Sequence, residues 1–173
     1  MSPTQRKRLL FISGIATVAF NAALFVLDKR LEATGGPSIL GLEFAGSLGR
    51  VEAIQAEWGD HGEYLARLSL WIDFGFMASY GTFFVLACAT VRDFAVGRGL
   101  TRLAAAGVVT PLCAAAAAAF DLVENTLWLL VLGGHLGEPA PLIATACASL
   151  KFLLIALAIV YSLVGLAVWL RRR

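Results

Sequence analysis

Residues 114–132 read AAAAAAFDLVENTLWLLVL. The stretch is long enough to cross the hydrocarbon core of a bilayer as a helix, which takes about 20 mostly apolar residues. It nevertheless carries Asp121, Glu124 and Asn125 in its interior. Charged groups at such depth are costly, and they are kept where they face a bundle interior, a cavity or a partner charge. Positions three and four apart share a helix face, so these three side chains project together. Asp-x-x-Glu-Asn therefore reads as the centre of a polar site within a membrane bundle.

The rest of the chain supplies that bundle. Of 173 residues, 59% are hydrophobic and 15% charged, against about 25% charged in an average soluble domain. The mean hydropathy is +0.79. Apolar runs of spanning length lie at about residues 9–27, 63–90, 101–132 and 141–170. With one outer loop at 28–62 they use up the length. The expected fold is an all-α membrane protein, a four-helix transmembrane bundle forming a single domain over residues 1–173. Arg6-Lys7-Arg8 ahead of the first run resembles a signal peptide, but the run exceeds an h-region and no clean small-x-small site follows, so it reads as a retained span.

Within the loop, Thr34-Gly35-Gly36-Pro37-Ser38 reads as a turn. Ser47 as N-cap and Gly59 as C′ residue then bracket a short helix. Val51, Ile54 and Trp58 share one of its faces, which predicts an amphipathic helix on the membrane surface or capping the bundle, with Trp58 suited to the interface. Asp60 and Glu63 resemble a capping box opening the second span. Pro111 is expected to kink the third span, and Ala114–Ala119 offers a smooth surface for close helix packing. Ser13, Thr17 and Asn21 form a small polar stripe on the first span, read first as a packing face.

Charge sets the orientation. The N-terminus (Arg6, Lys7, Arg8), the second connection (Arg92, Arg98, Arg102) and the C-terminus (Arg171, Arg172, Arg173) are basic, opposed only by Asp93. The first and third connections carry most of the acids. Both termini are therefore expected in the cytoplasm, with the long loop outside. Cys88, Cys113 and Cys147 read as packing residues, and no zinc, haem or disulfide pattern is present. His61 and His135 read as solvated loop residues. The sequence calls for no metal and no cofactor, and no basic patch with interleaved aromatics points to nucleic acid.

Depth can be estimated from the helical rise. Asp73 lies about 12 Å below Leu65, Glu124 about 12 Å and Asp121 about 16 Å below Leu132, and Lys151 about 15 Å below Pro141. Three spans thus bring their intramembrane charges to one level, in the outer half of the bilayer. One lysine balances one acid, so a surplus carboxyl is expected to hold a proton and to serve as a donor. Asp73, Asp121, Glu124 and Lys151 are the candidate catalytic groups. Asn125, Tyr80 at the floor, Trp128 at the wall, Asn21 and Glu43 are candidate binding residues. Glu43 is read first as a solvated loop acid and second as an acid reaching inward.

Leu42-Glu43-Phe44-Ala45, Trp58-Gly59, Asp73-Phe74 with Tyr80-Gly81, and Phe120-Asp121-x-x-Glu124-Asn125 together resemble a family of small bacterial four-span integral membrane proteins of unassigned function. The resemblance covers about residues 34 to 130. It implies a four-helix membrane bundle in a bacterial inner membrane and no activity; Met77 stands where members often have a proline. Three functions stay open on the residues themselves. The first is an enzyme using acid and base carboxyls on a lipid or isoprenoid-like substrate. The second is a proton-coupled small transporter. The third is a structural subunit of a membrane complex. Membrane lipids are the expected surroundings, and assembly into a homo-oligomer is compatible with all three.

Overall fold

The computed structural model describes residues 1–171; Arg172 and Arg173 of the terminal triplet lie outside the described residues. The elements in chain order are α1 (Pro3–Glu32), α2 (Ile39–Glu43), α3 (Leu48–Gly97), α4 (Thr101–Leu132) and α5 (Ala140–Arg171). α1, α3, α4 and α5 are each long and apolar enough to cross a membrane. The protein is an all-helical bundle of the multi-pass membrane type.

The helices start where local chemistry tells them to. Ser2 and Gln5 form a reciprocal capping box at the head of α1, with Pro3 in its first turn, a position where the missing N–H costs nothing. Ser47 Oγ accepts from the Arg50 N–H to open α3. Gly59 adopts φ 60° and ψ −176°, a backbone conformation that favours glycine. It turns the chain between a first arm, residues 48–58, and the spanning part of α3. α4 runs continuously through Pro111.

One expectation about the loop is decided and another changes. The arm forms where it was expected, and of its two expected placements, on the membrane surface or capping the bundle, the second fits the burial of its apolar face. Val51, Ile54 and Trp58 are buried, Trp58 to 3% exposure, in one cluster with Leu27, Leu31, Leu42, Trp128 and Val131. Trp58 donates its Nε1–H to the Pro37 carbonyl at 2.7 Å, which satisfies the indole inside the bundle rather than at a lipid interface. The arm is a cap on the core. Asp60 and Glu63 make no capping box: Glu63 accepts from Gln55 Nε2 at 3.0 Å and from Arg67 Nε at 3.1 Å. Arg67 also reaches the Leu132 carbonyl, joining α3 to the end of α4.

α3 is the central helix. It packs against α1, α4 and α5, and α4 packs against α5, whereas α1 has little contact with α4 or α5. Small residues set the close approaches. A Cβ added at Gly81 would lie 2.9 Å from the Ala118 Cβ, and Ala114 and Ala117 are fully buried. The alanine run does serve as a packing surface, and both α3 and α5 use it. In lipid, where apolar burial offers little driving force between helices, such close fit carries the association. A Cβ at Gly75 would overlap the Phe20 ring, which marks where α1 rests on α3. At one end of the bundle Arg6 pairs with Asp93 at 2.5 Å. At the other, the Leu48 N–H donates to Glu138 Oε1 at 2.7 Å.

Candidate functional site

Acids of α4 and of the short α2 meet on one amine of α5. Lys151 Nζ, from α5, donates to Asp121 Oδ1 at 3.1 Å. It also lies 2.8 Å from Glu124 Oε2 and 3.5 Å from Glu43 Oε1. The Glu124 contact is one of charge, since Oε2 is outside hydrogen-bond alignment. Asp121 accepts a second hydrogen bond, from Tyr80 OH to Oδ2 at 2.8 Å. Asn125 Nδ2 donates to Asp73 Oδ2 at 2.5 Å. Helical spacing explains the sharing: Asp121, Glu124 and Asn125 fall on the α4 face turned toward α3 and α5, and all are buried. Asp73 and Tyr80 are seven apart, two turns of α3.

Asp73 stands apart from the Lys151 cluster. Lys151 is held by three other carboxylates, and no cation lies within ion-pair distance of Asp73 among the described residues. Glu43 is the larger correction. It is 7% exposed and contributes to the Lys151 cluster, so it is not a solvated loop acid. Its burial pushes its carboxyl above the usual range, an effect that the adjacent Lys151 ammonium opposes. The five-residue α2 puts it there. Leu42 is fully buried in the core beside it. The Ile39 N–H donates to Asp28 Oδ1 at 2.8 Å, which caps the short helix from α1. Thr145 Oγ1 donates to the Glu43 carbonyl at 2.8 Å and accepts from the Gly46 N–H at 3.2 Å. Thr145 thus clips α2 to α5, a part in the site that sequence reasoning missed. Only its position six residues before Lys151 hinted at it.

Beside the cluster lies a half-open cavity of about 410 Å³. It occupies the gap between α1 and α5 that follows from the poor contact of α1 with α5. Phe76, Phe84, Phe152, Ile155, Ile159 and Leu24 make its apolar walls, and Glu43, Asp73, Tyr80, Asp121, Asn125 and Lys151 its polar wall. Thr17 and Asn21 of α1 line it too, so two of the three residues of the stripe on the first span face a cavity. The Thr17 hydroxyl donates to the Ser13 carbonyl of its own helix at 2.8 Å. Phe152 also sits under the lysine, with Nζ 4.9 Å from the ring centroid, within cation–π range.

Trp128 is placed differently from the wall position expected of it. It is fully buried in the core cluster with Leu132 and Ala144 and does not line the cavity, because one turn beyond Glu124 the α4 face meets the capping arm. Glu124 likewise is completely covered and reaches the cavity only through Lys151. His61 is exposed and helical rather than in a loop, and His135 is exposed near the α4 terminus. Among the described residues no group of histidine, cysteine and acidic side chains is arranged to hold a metal ion.

Chemically, the arrangement offers a carboxylate–lysine cluster of high charge density on the wall of an otherwise apolar slot. Such a polar wall can hold a polar headgroup while the apolar walls hold a chain, and it places hydroxyl, amide, ammonium and carboxyl groups within reach of the same atoms. No family model, curated protein or solved structure matches the chain.

Proposed function

We propose that the protein binds a lipid-like molecule from the bilayer and holds its polar group for acid–base chemistry at the Asp73–Asp121–Lys151 cluster. The observation that carries this reading is the half-open slot between α1 and α5, walled by aromatic and aliphatic side chains and by the cluster. A chain enters such a slot without leaving an apolar medium, and only the headgroup changes environment. In this reading Asp73 and Asp121 are the proton-handling groups. Lys151 sets the charge around Asp121, with Glu124 and Glu43 holding Lys151 in place. Tyr80 and Asn125 orient the acids and contact the headgroup.

We further read the termini as cytoplasmic and the cluster as lying in the outer half of the membrane. The Arg6–Asp93 pair supports this, because it gathers two of the basic segments at one end of the bundle. The three carboxylates around Lys151 would equally serve a purely structural ion network. That alternative predicts no bound lipid.

Lipid extraction and native mass spectrometry of the purified protein separate the two. The expected outcome is a co-purifying lipid in wild type that is reduced in Asp121→Asn and in Glu124→Gln. Identical bound material in all three proteins, at unchanged thermal stability, would overturn the reading.

A further inference from the structure

From the accounting of hydrogen bonds on the polar wall of the slot, we infer that the headgroup it takes is a protonated primary amine, with Asp73 as its counter-ion. This rests on the reading of the slot as an amphiphile site and names the ligand class.

The charges on the polar wall are unequal. Glu43, Asp73 and Asp121 line it and Glu124 stands just behind, against the single ammonium of Lys151. Lys151 is already shared among three of these acids. Asp73 is the fourth, and it is the one that has no cationic partner among the described residues. Its Oδ2 takes one hydrogen bond from an amide, that of Asn125, and the residue is half-buried rather than sealed.

Among the fully buried atoms of the residues lining the slot, the unmet ones are acceptors. Asn125 is 0% exposed, lines the cavity and donates its amide N–H to Asp73, yet its Oδ1 accepts no hydrogen bond from the protein. Glu43 Oε2, in a side chain 7% exposed, is in the same state. Among the described residues the fully buried donors without a partner, Trp128 Nε1 and Thr110 Oγ1, lie outside the slot, and the Asn21 amide that lines it is exposed. A buried acceptor left unmatched is unfavourable. A ligand carrying a carboxylate or phosphate alone would add acceptors and negative charge to a site already rich in both. A primary ammonium supplies three N–H donors and one positive charge. It would rest against Asp73 and the Asn125 carbonyl oxygen, in the cavity that Tyr80 and Phe76 also line. A quaternary ammonium supplies the charge without the donors.

The test uses the full-length protein in phosphatidylcholine nanodiscs, with empty nanodiscs as background. Titration calorimetry at neutral pH compares dodecylamine, dodecyltrimethylammonium, dodecanol and dodecanoate. Wild type should bind dodecylamine at least about tenfold more tightly than dodecanol, the size of one charge-assisted hydrogen bond. Dodecyltrimethylammonium should fall between them, and dodecanoate should bind least well. Asp73→Asn should abolish the preference for the amine while leaving dodecanol binding intact, and Glu57→Gln, which removes an exposed acid outside the slot, should keep the preference in full. Equal binding of all four probes would overturn the inference and leave the amphiphile slot standing, the acids then being satisfied by protons alone. Binding of none of them would overturn the slot itself. A quaternary probe that matches the primary amine would refute the role of the unmet acceptors.

Discussion

Lys151 is the residue on which the interior depends, because it is the common partner of Asp121, Glu124 and Glu43. Removing one partner of a buried charge network leaves the others uncompensated, a loss of roughly 3–5 kcal/mol. Lys151→Met, close in length and without charge, is therefore expected to lower the midpoint of detergent-monitored thermal unfolding substantially at pH 7. The sign of its pH dependence follows from Glu43. Burial already holds that carboxyl above its ordinary value of 4.5, so the folded protein binds the proton more tightly than the unfolded chain does. The contribution of this group is favourable below that ordinary value and is lost as pH rises. Without the neighbouring ammonium the effect grows. The deficit of Lys151→Met should shrink as pH falls toward 4.5, and a deficit that widened on acidification would contradict the cluster as described. At this scale the sequence was informative for Asp73, Asp121, Glu124, Asn125 and Lys151, since a charge in an apolar run announces itself. It was indecisive for Glu43, which sits in a segment too short to have a periodicity, whose apolar neighbours Leu42 and Phe44 do not tell core from surface.

At the scale of elements, α3 and α4 meet through Gly81 and Ala118, where neither side can give way by rotating a flexible side chain. Gly81→Val should force the two backbones apart and destabilise the protein by about 1–3 kcal/mol. Because Tyr80 is the adjacent residue and bonds Asp121 across that interface, the shift should also weaken retention of any bound amphiphile. Thermal unfolding checks the first effect and bound-lipid analysis the second; a fully stable Gly81→Val protein would place the interface elsewhere. The helices themselves were legible in hydropathy, with α4 and α5 matching their expected limits to within a residue or so at each end. The arm before Gly59 was legible as a helix with an apolar face, but what that face covers was not. An apolar stripe looks the same whether it meets lipid headgroups or the end of a bundle. The buried Trp58 and its bond to Pro37 decide for the bundle.

For the molecule as a whole, the informative feature is an asymmetry. Three helices close on one another while α1 leans on α3 and leaves the side facing α5 open. The slot is the consequence of that gap, so filling it should act on binding and spare the fold. Thr17 is suited to this, since it lines the slot and its hydroxyl is spent on its own helix. Thr17→Trp is expected to remove most of the co-purifying lipid while leaving the unfolding midpoint close to that of wild type. Loss of stability with lipid retained would show instead that α1 is a packing element whose contact with the rest was underestimated.

Sequence alone determined that this is a four-span helical membrane protein and that acids and a lysine share a level inside it. Both follow from local quantities: the length and apolarity of each run, and a rise per residue that converts position into depth. Only the tertiary structure decided which acids hold Lys151, that Glu43 joins them and Trp128 does not, and that Asp73 has an amide for a partner. Those outcomes depend on how each helix is rotated about its axis and on which pairs of helices touch. In an apolar solvent that choice is made by close-fitting small residues such as Gly81 and Ala118, and it leaves no trace in hydropathy.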